Sequence, residues 1–569
     1  MGGAGRSGKA AQNGSGAGFE KTHRVARRHG YGARTMTTLL RPLPGLLILA
    51  LTAARLAADV TLAPLFTDGA VLQRDKPVAV WGRADANEKV TVTFGAQVRT
   101  ATPGLDGRWI AILEPMPASG QGERMTVQGK NTLTLNDVLV GEVWLCSGQS
   151  NMEWPVARAE NSEREIAAAN FPLIRHVRVD HVVSETPADT VKTGGWQAAT
   201  PSNTGTFTAV GFFFARDLYQ KLRVPVGIVH SSWGGTPVES WLSPAALAGN
   251  PAFKVVSERW QENLREFPAR QAAYEAKLAE WTQTEAAARQ TAPAAPTTAT
   301  KKSAKKSAPV VAATHADWLR KNPRPRPPRG AGDPWTPTGL FNGMINPLLP
   351  YALRGFLWYQ GESNAERAAE YHPLFSAMIT AWRAHFGQGE LPFYWVSLAN
   401  YGVAGDGNEK GRTYAFLREA QTKALALPET GQALAIDIGD PKDIHPKNKQ
   451  EVGRRLALLA RNRVYDIVGD DTGPSFVAAQ REGAALRVRF THAGGGLIAR
   501  EKPVQSLELA GTDRVFHPAD GKIDRETLLV SSPAVRDPVA VRYAWTNAPE
   551  ANLCNGAGLP AVPFRSDAW

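Results

Sequence analysis

The sequence predicts an α/β fold with a parallel sheet and flanking β regions. Apolar, strand-like runs alternate with helical stretches over 138–245, and the same pattern returns from about 339 to 466. Strands that alternate with helices form parallel sheets, whereas short strands separated by turns form sandwiches or barrels. Short strands separated by turns are predicted both before and after the α/β residues. At 569 residues the chain also exceeds the size of one hydrophobic core, so several domains are expected.

Each element follows from its local pattern. Residues 60–137 hold short runs of alternating apolar and polar side chains, such as 90–94, which predict a small β-sandwich. Within the α/β part, a helical stretch at 210–222 precedes an apolar strand at 224–229, as in a βαβ unit. A later helix is predicted over 449–462.

The α/β pattern is interrupted by an insertion at about 250–335. Aromatic and apolar residues recur at helical spacing on both sides of Pro268, which predicts two amphipathic helices in a hairpin. Residues 291–313 are rich in Ala, Pro, Thr and Lys and predict a disordered loop.

The N-terminal residues resemble a targeting segment. Arg41 precedes a short apolar run at 43–51 and then small residues, which is typical of a secretory signal peptide over about 36–58. The apolar run is shorter than the ~20 residues that a membrane span requires. We therefore expect a periplasmic or secreted protein with no membrane attachment after cleavage.

The predicted organisation has four parts. They are an N-terminal extension and signal peptide over 1–58, a β-sandwich over 59–137, an α/β domain over 138–466 that carries the insertion, and a C-terminal β domain over 467–569.

The net charge of +12 does not indicate a nucleic-acid partner. Residues 1–58 and 301–329 each carry nine basic residues and one acidic residue, so the rest of the chain has a net charge of −4. A basic surface that tracks nucleic acid is therefore not expected on the folded body.

A serine turn carries the most chemical information. Residues 145–154 read LCSGQSNMEW, so a strand-like run ends in small polar residues that present Ser150. A serine nucleophile needs a base, an orienting group and oxyanion donors. Candidates follow three further apolar segments, in 232–239 (SWGGTPVE), 358–364 (WYQGESN) and 443–446 (DIHP).

Each candidate has a chemical role. Ser150 would attack an ester carbonyl, His445 would take its proton, and Asp443 would orient the imidazole. Asp440, Asp437 or a main-chain carbonyl is the alternative orienting group.

Oxyanion donors are expected near the nucleophile. The N–H of Ser150 is one candidate, and Gly235 or Gly234 is expected to supply a second backbone donor because glycine allows close approach. Ser150 and Glu153 also resemble a helix-capping box. No His-Glu-x-x-His or Cys-x-x-Cys spacing occurs, so neither a metal nor another cofactor is expected.

We call these four segments the serine block (145–154), the glycine block (232–239), the amide block (358–364) and the histidine block (443–446). Together with 340–346 (LFNGMIN), they resemble the SGNH hydrolases, and within them the sialate O-acetylesterase-like carbohydrate esterases. The resemblance covers most of residues 60–569. It implies a three-layer SGNH hydrolase fold with a flavodoxin-like parallel sheet, flanked by β-sandwich or jelly-roll-type regions. It also implies a third oxyanion donor, the side-chain amide of Gln360 or Asn364.

The expected function is hydrolysis of O-acetyl esters of sialic acid, with 9-O-acetyl the expected position. Acetylated plant polysaccharide such as xylan is the alternative substrate, and a carbohydrate-binding protein with a vestigial site is the non-enzymatic alternative. Trp154, Trp233 and Trp241 flank the serine and glycine blocks and would either stack on a sugar or pack in the core. A sialate carboxylate would require a local arginine such as Arg158 or Arg367.

Overall fold

The computed structural model describes residues 59–290, 315, 317–402 and 409–569. The predicted signal peptide and the predicted loop at 291–313 lie outside the described residues. None of the described helices is both long enough and apolar enough to cross a bilayer.

The β-strands are β1 (Thr61–Leu62), β2 (Val71–Gln73), β3 (Val78–Arg83), β4 (Val90–Phe94), β5 (Gln97–Ala101), β6 (Arg108–Leu113), β7 (Ser119–Gln128), β8 (Thr132–Gly148), β9 (Phe171–Arg178), β10 (Gln197–Ala199), β11 (Val226–Ser232), β12 (Gly355–Tyr359), β13 (Phe393–Val396), β14 (Thr430–Ala433), β15 (Ser475–Glu482), β16 (Ala485–Thr491), β17 (Leu497–Ala499), β18 (Leu507–Ala510), β19 (Phe516–Pro518), β20 (Asp520–Asp524), β21 (Thr527–Ser531), β22 (Ala540–Tyr543), β23 (Leu553–Asn555) and β24 (Phe564–Arg565). The α-helices are α1 (Ser150–Glu153), α2 (Ser162–Ala167), α3 (Ala209–Leu222), α4 (Pro244–Ala248), α5 (Lys254–Gln290), α6 (Ala368–Phe386), α7 (Thr413–Lys423) and α8 (Lys449–Arg463).

A largely parallel sheet forms the centre of the α/β region. Its strand order is β10-β9-β11-β8-β12-β13-β14. Neighbouring strands are parallel except β10 and β9. Apart from β9, which pairs in parallel with the outer side of β11, the strands β8, β11, β12, β13 and β14 are arranged 2-1-3-4-5 in chain order, which is a common doubly wound order. The predicted α/β class is confirmed, as are the predicted helices that correspond to α3 and α8.

Helices cover both faces of this sheet. Trp144 and Cys146 of β8 belong to the hydrophobic cluster that includes residues of α3 and α8. Their neighbours Val143 and Leu145 belong to the cluster that includes residues of α6 and α7. A strand buried on both faces has a continuous apolar sequence, which explains why this part of β8 is recognisable as a strand from the sequence.

The strand β8 also belongs to the N-terminal β region. Its first half pairs with β7, and residues 139–141 pair with β2. Its second half pairs with β11 and β12. The predicted domain limit between 137 and 138 therefore falls inside one continuous strand, and the chain passes from the β region to the α/β sheet without a linker.

The C-terminal residues form antiparallel sheets. Their strand orders are β15-β16-β21-β20 and β19-β18-β22-β24, around a third hydrophobic cluster. Asp437, which lies beyond β14, forms ion pairs with Arg455 of α8 and with Arg500. This buried carboxylate connects the α/β region to the C-terminal sheets.

The insertion differs from its prediction. The expected helix break at Pro268 is wrong, because α5 runs continuously from Lys254 to Gln290 with Pro268 inside it. Proline at position 268 removes the helical hydrogen bond to the carbonyl of Leu264, and the adjacent carbonyl, of Asn263, accepts from the Arg270 guanidinium at 3.0 Å. The partner of α5 lies beyond the loop instead, where Trp281 Nε1 donates to the carbonyl of Asn322 at 2.8 Å.

Candidate active site

The serine turn is fixed by close contact between β8 and β12. Gly148 has a φ of +132°, and a Cβ there would lie 2.2 Å from the carbonyl oxygen of Tyr359. The same carbonyl accepts the N–H of Gln149 at 2.9 Å. Only glycine fits this approach, and it allows the chain to turn so that α1 begins at Ser150.

The predicted capping box is wrong. Ser150 is the first residue of α1, and the preceding residue makes no side-chain cap. The Glu153 carboxylate instead accepts the N–H of Gly234 at 2.7 Å and pairs with Arg178 at 2.9 Å. Glu153 therefore connects the glycine block to the serine turn through this hydrogen bond. A Cβ on Gly234 would lie 3.3 Å from the Cβ of Ser150, so the two blocks are in direct proximity.

His445 lies against the serine although 295 residues separate them in the sequence. Its Nε2 is 2.9 Å from Ser150 Oγ. Asp443 Oδ1 lies 3.5 Å from His445 Nδ1 and accepts the backbone N–H of His445 at 2.9 Å.

The other two candidate acids have different partners. Asp440 accepts the N–H of Lys442, and Asp437 is held by two arginines. Within the described part of the chain, Asp443 is the candidate acid that contacts His445.

The imidazole of His445 is held between charged and aromatic groups. Trp154 stacks on it with ring centroids 4.8 Å apart, and the guanidinium of Arg158 lies 3.9 Å above the Trp154 ring. Partial burial, followed by the charge of Lys449, lowers the pKa of His445. The imidazole is thereby biased toward the neutral form that can accept a proton.

A buried polar cluster supports the histidine loop. The Asn151 side chain donates to the carbonyl of Ile444 at 3.0 Å and to the carboxylate of Glu362, and it accepts from Lys449 Nζ. Lys449 is fully buried, and burial lowers its pKa to about 7, while burial raises the pKa of Glu362. Asn151, the residue after Ser150, therefore contacts the residue before His445 directly.

The glycine block presents one of its two predicted donors. The N–H of Gly234 is occupied by Glu153, so Gly235 is the donor candidate of this pair. Gly235 has a φ of +76°, which favours glycine. Trp335 Nε1 donates to the Gly235 carbonyl at 2.7 Å and fixes the orientation of this turn.

The two predicted amide donors are used within the protein. Gln360 is fully buried and donates to the carbonyl of Thr236 at 3.2 Å and to Asn364 Oδ1 at 2.7 Å. Asn364 accepts the N–H of Val238 and donates to Glu239. Both hydrogens of the Gln360 amide are therefore engaged, and the expectation that it faces an oxyanion is not supported. Together the two amides hold the glycine block in place.

The three tryptophans differ in their exposure. Trp241 is fully buried and Trp154 is 6% exposed, so neither ring presents a free face of the size that sugar stacking needs. Trp233 is only half-buried and stacks on His181 at 4.2 Å.

Sequence reasoning missed four residues that organise the site: Glu153, Asn151, Lys449 and Trp335. Asn151 and Glu153 stand inside the serine block at 145–154, and Lys449 is the first residue of the helix predicted over 449–462. Trp335 follows the insertion and carries no local signal, because its role depends on the contact with Gly235. Among the described residues, no group of three or more His, Cys, Asp or Glu side chains is placed to hold a metal ion.

Known proteins resemble this chain over most of its length. Residues 333–461 match the model of the family described as carbohydrate esterase, sialic acid-specific acetylesterase. The sialate O-acetylesterase of Rattus norvegicus is 30% identical over 584 residues, covering 93% of this chain and 99% of that protein. The human sialate O-acetylesterase is 27% identical, covering 87% of this chain and 90% of that protein.

A solved structure agrees with these matches. A carbohydrate acetylesterase from Xanthomonas citri is 38% identical, with a TM-score of 0.72 over 90% of this chain and 100% of that one. The chain therefore belongs to the sialate O-acetylesterase family of carbohydrate esterases.

Proposed function

We propose that this esterase removes O-acetyl groups from sialic acid, with the 9-O-acetyl ester as substrate, through an acetyl-enzyme formed on Ser150. The observation that carries the proposal is the 2.9 Å contact between Ser150 Oγ and His445 Nε2 at the carboxyl end of β8. Ligands of doubly wound sheets bind at this edge, near the point where the strand order reverses. The similarity to sialate O-acetylesterases over most of the chain supports the choice of substrate.

The proposed reaction has two stages, acetylation and deacetylation of Ser150, with two proton transfers in each. Ser150 Oγ attacks the acetyl carbonyl while its proton moves to His445 Nε2, and the imidazolium then protonates the departing sugar oxygen. Water next attacks the acetyl-serine and gives its proton to His445, which returns it to Ser150 as acetate leaves. Asp443 would hold the imidazole through Nδ1 and stabilise its charged form.

Backbone groups stabilise the charge on the acetyl oxygen in this proposal. The N–H of Ser150 is at the first position of α1, where helical N–H groups have no partner within the helix. The N–H of Gly235 would be the second donor. Gln360 and Asn364 act on the reaction indirectly, by holding the glycine block through Thr236 and Val238.

The finer assignments belong to the same proposal. A three-layer SGNH hydrolase domain with sandwich or jelly-roll-type flanks is supported by the 2-1-3-4-5 strand order and by the antiparallel sheets on either side. Export to the periplasm or medium is proposed from residues 36–58 of the sequence.

A substrate comparison tests the proposal. Acetate release is measured for 9-O-acetylated sialosides and for acetylated xylo-oligosaccharides, with Ser150→Ala as the inactive control. We expect a higher kcat/KM for the sialoside and no release by the variant. An equal or reversed preference would assign the enzyme to plant polysaccharide, and undiminished release by Ser150→Ala would exclude the acetyl-serine mechanism.

A further inference from the structure

The geometry of the reaction indicates where the sugar lies. His445 protonates the leaving oxygen, so the alcohol part of the ester must be next to Nε2 of the imidazole. The acetyl oxygen points the other way, toward the backbone donors. Selectivity for one sugar over another therefore depends on the side chains around His445, since the acetyl group is common to all the substrates.

Arg158 is an exposed cation on that side. It ends a short 3-10 segment, Val156–Arg158, that follows α1. Its guanidinium lies 3.9 Å above Trp154, and the Trp154 ring lies 4.8 Å from the imidazole of His445. Two ring contacts in succession thus connect the cation to the general base.

The backbone beneath Arg158 is well held. The N–H of Arg158 donates to the carbonyl of Pro155 at 3.0 Å. Two residues later, the N–H of Glu160 donates to the carbonyl of Lys447 in the histidine loop at 2.8 Å. The side chain is therefore exposed from a backbone that is fixed relative to His445, which reduces the entropy lost on binding a ligand.

Other arginines near the site are already neutralised or lie on the opposite side. Arg178 is paired with Glu153 at 2.9 Å, and Arg367 is paired with Glu239 at 2.8 Å. Arg329 stacks on Trp335, which bonds to the glycine block rather than to the histidine loop. Arg158 forms no ion pair with any residue that the structure describes.

We propose that Arg158 binds the carboxylate of an acetylated sugar acid on the leaving-group side of the site and makes the esterase selective for anionic over neutral acetylated sugars. A guanidinium donates two parallel N–H bonds to a carboxylate, a geometry that a neutral sugar cannot reproduce. This inference rests on the proposed function and deepens it, because it assigns the residue that recognises the acid.

Paired substrates that differ only in charge provide the test. They are a 9-O-acetylated methyl sialoside with its free carboxylate and the same compound with the carboxyl group converted to a methyl ester. For each enzyme, the selectivity is the ratio of the two kcat/KM values for acetate release. In the wild type we expect a ratio well above one.

The variant Arg158→Gln should reduce this ratio roughly 10- to 100-fold, mainly by raising KM for the carboxylate substrate, as expected for loss of a charge-assisted hydrogen bond. The ratio for Arg158→Lys should lie between those of the wild type and Arg158→Gln, because lysine keeps the charge and loses the paired donors. Arg329→Gln and Arg367→Gln are the matched controls and should keep the wild-type ratio. Circular dichroism and melting temperature check that each variant is folded.

The outcomes separate this inference from the proposed function. If the wild type releases no acetate from the sialoside, the sialate proposal fails and the inference fails with it. If the wild type hydrolyses both substrates equally, the inference fails and the proposed function stands. If the wild type prefers the carboxylate and Arg158→Gln keeps that preference, the inference alone is overturned. Loss of the preference in Arg329→Gln or Arg367→Gln would show that the substrate carboxylate binds beside the glycine block. That result would also overturn the inference about Arg158.

Discussion

At the scale of single residues, the site depends on a histidine that stays neutral near pH 7. Burial disfavours the charged imidazole of His445, and the positive charges of Lys449 and Arg158 act in the same direction. Asp443 opposes them, and the net result is a pKa below the ordinary value of about 6.5. In the proposed mechanism a protonated imidazole cannot accept the proton of Ser150, so we expect activity above this pKa and its loss as the pH falls through it.

The first prediction follows from the charge of Lys449. Burial lowers its pKa to about 7, so Lys449 is charged over most of the acid limb of the profile. Lys449→Met removes this charge, and the pKa of His445 should rise. The acid limb of kcat/KM against pH for a neutral acetate ester should therefore move to higher pH. Lys447→Met, at an exposed position in the same loop, should leave the limb in place. An unmoved limb in Lys449→Met would contradict the assigned electrostatic role.

The second prediction concerns the orienting acid. Asp443→Asn keeps the size of the side chain and removes its charge, so the imidazolium loses its partner at Nδ1. We expect kcat to fall roughly 10²- to 10⁴-fold while KM changes little. Asp440→Asn is the control, because Asp440 contacts the backbone of Lys442 and not the imidazole. Near wild-type turnover by Asp443→Asn would transfer the orienting role to a backbone carbonyl.

At the scale of elements, the nucleophile turn depends on how closely β8 approaches β12. The carbonyl of Tyr359 occupies the space that any side chain at position 148 would need. This contact fixes the start of α1 and, through it, the position of Ser150.

The third prediction tests this contact. Gly148→Ala combines a strained φ with a clash against backbone, so we expect the free energy of unfolding to fall by about 2 to 5 kcal/mol. Gly387→Ala is the matched control, because Gly387 also has a positive φ, of +66°, with open space around it. It should cost only about 1 kcal/mol. Equal losses in a denaturant titration would show that backbone strain, and not the clash, determines the cost.

The elements that were predictable from the sequence are those with a strong local pattern. The apolar half of β8, the helices α3 and α8 and the blocks that hold Ser150 and His445 all carry such patterns, and each block follows an apolar, strand-like segment. Pro268 was misread because a helix can continue through proline when other contacts hold it. The partners of Glu153 and Gln360 were not predictable, since each side chain reaches a residue far away in the sequence.

At the scale of the whole molecule, the β regions and the α/β region depend on each other. The buried carboxylate of Asp437 is shared by Arg455 of α8 and Arg500 of the C-terminal β region. At the other end, β8 takes part in both the N-terminal β region and the catalytic sheet.

The fourth prediction follows from the participation of β8 in both regions. A protein shortened to residues 132–569 keeps β8 and loses its partners β2 and β7, together with the apolar surface that they bury. We expect no acetate release and no cooperative thermal transition, because half of a strand would be left with unpaired backbone groups. The matched reference is a protein of residues 59–569. An active shortened protein would show that the catalytic sheet folds on its own.

The path of β8 also bears on how such a chain can change by recombination. Modules are exchanged between genes most easily where the chain crosses from one to the next in an exposed loop, because a junction there disturbs few contacts. In this chain the crossing lies inside strand β8, whose hydrogen-bonded pairing with β12 ends at Gly148, two residues before Ser150. The N-terminal β region is consequently inherited together with the nucleophile, and new sugar-binding modules are expected to join this esterase at its ends rather than in place of that region.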